Sequence, residues 1–193
     1  MVARLPVVCP TALTKGSLAA FSTGKRCAVI GVAISGVQAM KACLAEGIEP
    51  VGFESDEDIG GFWRYKEAAE HPSVYRSTHI DSDKDLNSFG TAPPAPNNTR
   101  AHFHPACGSS GDFPWDADAP LLIHNTELTR YLRQNIEEFD LGRRINYSTR
   151  VSLVTPVEVE DGGNVWDVTY STTSGGEAKE VTETITKSLN CGG

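Results

Sequence analysis

The sequence predicts an α/β fold: a strand–turn–helix–strand start on a parallel sheet, followed by an antiparallel meander in the last third. Three observations predict it. A short apolar run over 25–30 leads into glycines at 31 and 36. Apolar residues then recur at helical spacing, and a second apolar run over 49–53 ends at Glu54. Beyond residue 145, strand-like alternation is broken by Asp161-Gly162-Gly163 and Ser174-Gly175-Gly176. With 193 residues, 39% apolar and 22% charged, the chain can bury a core and is not globally disordered.

Residues 1–24 contain Arg4 and Lys15, no acid, and many small residues. They are expected to form a disordered N-terminal extension. The composition is also that of an organellar transit peptide, although no convincing amphipathic pattern runs through it. Five basic residues and no acid precede Glu46, so the net charge of -8 leaves -13 on residues 46–193. Such a balance excludes nucleic acid as the main partner, because phosphate binding needs a basic face. No apolar run reaches the ~20 residues of a membrane helix, and the cytoplasm is the expected location. The five cysteines are Cys9, Cys27, Cys43, Cys107 and Cys191. No two of them stand at CxxC spacing, so neither a zinc site nor a disulfide framework is expected, and a reducing compartment is.

The first strand is Lys25 to Ile30, apolar on both faces as a buried parallel strand must be. Gly31-Val32-Ala33-Ile34-Ser35-Gly36 makes the turn. Val37, Met40 and Leu44 lie on one face of the following helix, and Gly47 is its natural stop. Glu49 to Phe53 reads as the second strand, with Glu54 at its end. The order suits a dinucleotide. Free N–H groups and the helix dipole attract a pyrophosphate to the helix start. Gly31 permits a tight turn, Gly36 permits close packing, and a carboxylate at the second strand's end can accept from a ribose diol. Ala33 replaces the middle glycine of GxGxxG, and its methyl is expected where the pyrophosphate approaches. A βαβ unit whose glycines serve only packing is the plain alternative.

Next comes Ile59-Gly60-Gly61-Phe62-Trp63-Arg64-Tyr65, two glycines that let backbone pass close to a ligand, then a flat apolar ring. The βαβ start, this segment, His71 to Ser77, Asp112-Phe113-Pro114, His124-Asn125, Tyr131-Leu132 and Trp166 to Thr169 keep one order. Together they resemble the FAD-binding start of the flavin-containing monooxygenases of the dimethylaniline N-oxide-forming type. These enzymes use NADPH and FAD to oxygenate nucleophilic nitrogen and sulfur through a C4a-hydroperoxyflavin. The resemblance implies an incomplete Rossmann-like FAD-binding domain over residues 25–187 with an inserted antiparallel β-meander. It implies that Gly31, Val32, Ala33, Ile34, Ser35 and Gly36 form the pyrophosphate loop, that Glu54 binds the adenosine ribose, and that Phe62 and Trp63 lie along the flavin. Its substrates would be small amines or thioethers.

Three departures accompany the resemblance. Asp81, followed by Ser82, stands where the family has the Asn that faces flavin and nicotinamide. An ionised Asp accepts only, so this catalytic position keeps a donor only when protonated, and uncoupled oxidation to hydrogen peroxide is one consequence. Residues 90–110, rich in Pro, Asn, Gly and Ser, stand where the family has almost no chain, and read as an atypical exposed loop. His102 and His104 within it have no carboxylate or thiol cluster beside them, so no metal site is expected. Asn97-Asn98-Thr99 and Asn146-Tyr147-Ser148 fit the glycosylation sequon, which has meaning only in a secreted protein.

After a helix with Leu128, Tyr131, Leu132, Ile136 and Phe139 on one face, capped by Asn125 or Thr126, strands are expected from Ile145, over 151–160, 165–170 and 179–186. The family's returning strand is not recognisable in residues 186–193, so residues 188–193 read as a tail and the parallel sheet is expected to lack a central strand. The second Gly-rich loop, which would bind NADPH, is not found. The alternative reading is a non-catalytic, degenerate FAD-binding fragment or an incomplete gene model. A different dinucleotide-binding class fits Gly60 to Trp63 and the Trp166 segment less well.

Overall fold

The computed structural model describes residues 24–67, 72–84, 113, 115–116, 118–159, 164–174 and 177–191. The expected N-terminal extension up to residue 23, the 90–110 loop with its two histidines, and the turns at 161–163 and 175–176 lie outside the described residues.

The chain opens with β1 (Arg26–Ile30), α1 (Ile34–Ala45) and β2 (Glu49–Phe53). After Arg26, β1 is apolar because both its faces are covered. Cys27 and Val29 point into one core and Ala28 into another. α1 ends where predicted. Gly47 takes φ +67°, its N–H donates to Leu44 O at 3.1 Å, and Ile48 N–H donates to Cys43 O at 2.8 Å. This paired closure satisfies the last carbonyls of the helix.

A short 3-10 turn (Gly61–Trp63) follows, then β3 (His79–Asp83), β4 (Leu122–His124) and α2 (Asn125–Glu138). β3 and β4 form an antiparallel pair. The predicted apolar face of α2 is the buried one, with Leu128, Tyr131, Leu132, Ile136 and Phe139 in the core. The cap differs from expectation. His124 holds the N-cap position and accepts from Thr126 N–H, while Asn125 is buried and its amide donates to Tyr75 O at 2.9 Å.

β5 (Ile145–Asn146), β6 (Thr149–Glu158), β7 (Asn164–Ser174), β8 (Glu177–Ile185) and β9 (Lys187–Asn190) complete the described strands. The meander β6-β7-β8 is antiparallel, as expected. β5 instead joins the parallel sheet beside β2, Gly52 pairing with Ile145 and Phe53 with Asn146.

The expectation of a missing central strand is corrected by β9. It runs parallel to β1, with Cys27 opposite Lys187 and Ile30 opposite Asn190. Cys191 N–H extends the ladder by donating to Ile30 O at 2.8 Å. The sheet order is therefore β5-β2-β1-β9. Lys-Ser-Leu-Asn carries one apolar residue and no alternation long enough to see, so this strand is specified by the free edge of β1 rather than by its own composition. Its presence matters for function. β1 now has neighbours on both sides, and its carboxyl end becomes the crevice where open α/β sheets receive ligands.

Three layers result. α1 and α2 cover one face of the parallel sheet around Val29, Val37, Met40 and Leu132. The meander covers the other through Ala28, Phe53, Val168 and Ile185, joined by Tyr170, whose ring lies tilted against Phe53 with centroids 4.9 Å apart.

Candidate cofactor-binding site

The turn after β1 is held from both sides. Gly31 takes φ +84°, a conformation open to glycine, and its N–H donates to Phe53 O at 2.8 Å. Val32 is fully buried, and its N–H donates to Glu54 Oε2 at 2.8 Å. Ala33 is the N-cap of α1, with extended backbone (φ -91°, ψ -152°) and no side-chain cap. The first turn of α1 holds no acid. Its leading N–H groups, at Ile34, Ser35 and Gly36, have no acceptor within the helix, as at every helix start.

Gly36 could be nothing else. A Cβ there would stand 2.0 Å from Gly31 O. The helix start is thus pressed onto the turn, which is the close approach the spacing of the two glycines predicts. Ala33 is accommodated differently from the sequence expectation. Its methyl lies against the second glycine pair: a Cβ at Gly61 would be 3.1 Å from it. Gly60 and Gly61, at φ +106° and +50°, carry the chain over the turn at this point. The residue that fills the middle-glycine position is matched by a residue with no side chain.

Glu54 is 5% exposed at the end of β2. Its Oε1 accepts from Asp56 N–H at 3.0 Å and from Ser55 Oγ at 3.4 Å, and its backbone bonds to Asn146 O and Thr149 N. A carboxylate offers about four acceptor positions. Three are used, and the one left on Oε2 is an acceptor beside the glycine turn. Tyr147 lies near: burial, then the charges of Asp58 and Glu54, push its phenol pKa up. Asn146 and Tyr147 are site neighbours that sequence reasoning missed, since nothing local says that β5 docks beside β2.

The segment beyond Glu54 is clamped by charge. Asp56 pairs with Lys66 at 2.5 Å and with Arg64 at 3.6 Å, and Asp58 pairs with Arg64 at 3.7 Å and with Arg133 of α2 at 2.5 Å. This holds the 3-10 turn over the glycines. Phe62 is 55% exposed there, while Trp63 is half-buried against the helical core. Asp81 lies exposed and Ser82 half-buried on β3, in the small flanking sheet rather than in the glycine turn.

These features fit the adenosine-diphosphate half of a dinucleotide: a helix start free of acid, a turn in which a Cβ has no room, and a buried carboxylate with one acceptor position left. The family model for flavin-binding monooxygenase-like proteins matches residues 24–193. The chain belongs to the flavin-binding monooxygenase-like family. Rat dimethylaniline monooxygenase [N-oxide-forming] 2 is 33% identical over 163 residues, covering 83% of this chain and 26% of that protein. Dog flavin-containing monooxygenase 3 is 33% identical over 148 residues, covering 76% and 24%. This family member therefore spans about a quarter of the length of the curated relatives it matches. Among solved structures, the S-allyl-L-cysteine S-oxygenase of Allium sativum superposes with a TM-score of 0.63 at 20% identity, covering 88% of this chain and 36% of the other. OTEMO, solved in complex with FAD and NADP, gives 0.56 at 18% identity, covering 89% and 26%. Both likenesses establish the fold: a partial Rossmann-like α/β unit with antiparallel strands added.

Proposed function

We propose that these residues form the FAD-binding part of an NADPH-dependent monooxygenase acting on nucleophilic nitrogen or sulfur in small molecules. The observation that carries the reading is the contact of Gly36 with Gly31 O beneath Gly61, at the carboxyl end of β1 and beside Glu54. Backbone N–H groups of Ile34, Ser35 and Gly36 would receive the pyrophosphate, and Val32 and Ala33 would shape the turn under it. Glu54 Oε2 would accept from a ribose hydroxyl while keeping its bond to Val32. Phe62 and Trp63 would lie along the isoalloxazine ring and keep water from one side. Asp81 and Ser82 would face its reacting edge, Asp81 acting as an acceptor where relatives of this type carry a donor. Bound there, FAD would supply the redox chemistry that links NADPH to oxygen. Amines and thioethers in the reach of that edge are the substrate class supported by the names of the relatives, one an N-oxide-forming enzyme and one an S-oxygenase.

The test is flavin retention by the purified chain. Yellow absorbance is expected to co-elute with folded protein on gel filtration. Gly36→Ala is expected to abolish it, because the methyl would have to displace the Gly31 carbonyl. Ser35→Ala, an exposed change in the same turn, is expected to leave flavin bound. A folded chain that takes up no FAD at any concentration would overturn the proposal.

A further inference from the structure

The meander has two edges, and they are built differently. β6, at one edge, carries Pro156, which has no N–H to donate, and its ladder with β7 shifts register between Val151 and Leu153. A proline and a bulge are two devices that keep an edge strand from pairing further. β8, at the other edge, has neither. It runs from Glu177 to Ile185 without proline or glycine. Its ladder with β7 is continuous, from Ser174 opposite Glu177 to Trp166 opposite Ile185. Among the described residues β7 is its only strand neighbour, so one row of β8 backbone N–H and C=O groups faces away from the sheet.

The side chains along this edge select what can pair with it. Lys179, Glu180 and Thr182 are exposed, and Val181 and Glu183 are half-buried. Lys179, Val181 and Glu183 share one face, opposite Thr172, Tyr170 and Val168 of β7. Glu183 already pairs with Arg26 at 2.5 Å, and a carboxylate has acceptor positions for a second cation. A lysine and a glutamate at equal distances from Val181 make the strand complementary to its own reverse. Laid antiparallel about Val181, two copies of β8 set Val181 opposite Val181, Lys179 of each opposite Glu183 of the other, and Glu180 opposite Thr182. Lysine then meets glutamate twice. Sliding one copy by a single residue would turn its faces over. Sliding it by two sets either Glu180 opposite Glu180 or Lys179 opposite Ile185, and both charge pairs are lost.

We propose that β8 is a self-pairing edge through which two copies of this chain form a symmetric dimer. The two meanders become one antiparallel sheet. Main-chain hydrogen bonds supply the attraction, and the opposed charges fix the register. A two-fold contact closes on itself, because each β8 edge is used once. The β6 edges left outside are the ones with the proline and the bulge, so assembly stops at two. An edge of nine residues is a small interface, and the dimer therefore exchanges with monomer. The inference rests on the meander alone and holds whether or not the chain binds a flavin.

The test is sedimentation velocity on the 193-residue chain, with dithiothreitol present to exclude disulfides. Monomer is expected to pass to dimer as concentration rises, with no larger species. Lys179→Glu sets glutamate opposite glutamate and is expected to weaken the dimer by about tenfold. Glu183→Lys sets lysine opposite lysine and is expected to weaken it similarly. Mixed in equal amounts, the two variants again oppose unlike charges in both pairs, and dimer is expected to return as a heterodimer. Loss of folding in either variant could not produce that return. Should Glu183→Lys fail to fold for want of its Arg26 pair, Lys179→Glu against the parent chain decides alone. A chain that stays monomeric at every concentration, or association that grows past two, would overturn the proposal. So would a dimer as tight in Lys179→Glu as in the parent, or two folded variants that fail to pair when mixed.

Discussion

At the scale of single residues, Glu54 carries both structure and proposed binding. Its two oxygens accept from two backbone N–H groups, Val32 at 2.8 Å and Asp56 at 3.0 Å. Glu54→Gln replaces one acceptor by a donor. Whichever way the amide turns, one buried N–H then faces another. A buried donor left without a partner costs about 1–3 kcal/mol. Denaturant unfolding is expected to show that loss, with FAD affinity weakened alongside it. Unchanged stability with weakened FAD would mean that the carboxylate serves the ligand and not the turn. The glycines and Glu54 were legible in the sequence because their spacing is local. Ala33 reads as an obstruction for the same reason. The residue that makes room for it, Gly61, lies 28 positions away and is brought to it only by folding.

At the scale of elements, the strand–turn–helix–strand start and the face of α2 were legible because periodicity and caps are written into neighbouring residues. β5 is legible as a strand from Ile145, but its place in the parallel sheet beside β2 is not, and β9 is not legible at all. β9 is a short, mostly polar segment whose strand state comes from the edge of β1 that it joins. At the start of α2, Asn125 and Thr126 are better caps by composition than His124. The structure gives Asn125 to Tyr75 O instead, and the imidazole takes its place. His124 Nδ1 accepts from Thr126 N–H at 3.3 Å, so Nε2 carries the hydrogen and donates to Arg76 O at 2.9 Å. One ring thereby joins the helix start to the loop before β3. His124→Ala is expected to cost about 0.5–2 kcal/mol, the usual range for a lost cap. His124→Asn keeps an acceptor for Thr126 and is expected to recover part of it. Equal stability of all three proteins in thermal unfolding would show that the cap contributes nothing.

At the scale of the whole molecule, the meander is a second layer that exists to cover the face of the parallel sheet opposite the helices. Tyr170 is its point of attachment, with its ring on Phe53 of β2. Burial, then the charge of Glu183, push its phenol pKa up, with Arg26 partly opposing. Tyr147, which follows β5, is raised in the same direction. The consequence for stability has a definite sign. In the folded state both phenols hold their protons longer than in the unfolded chain. Their contribution is therefore complete below the ordinary phenol value of about 10 and is lost as pH rises through the raised folded values. Near-ultraviolet titration at 295 nm is expected to show Tyr147 and Tyr170 ionising late. The denaturation midpoint is expected to fall from about pH 10 upward. Tyr170→Phe removes one ionisable group while keeping the ring, so it should flatten that fall without weakening the chain at neutral pH. A fall just as steep in Tyr170→Phe and in Tyr147→Phe would place the alkaline weakness elsewhere, in the surface ion pairs that hold the 3-10 turn over the glycines.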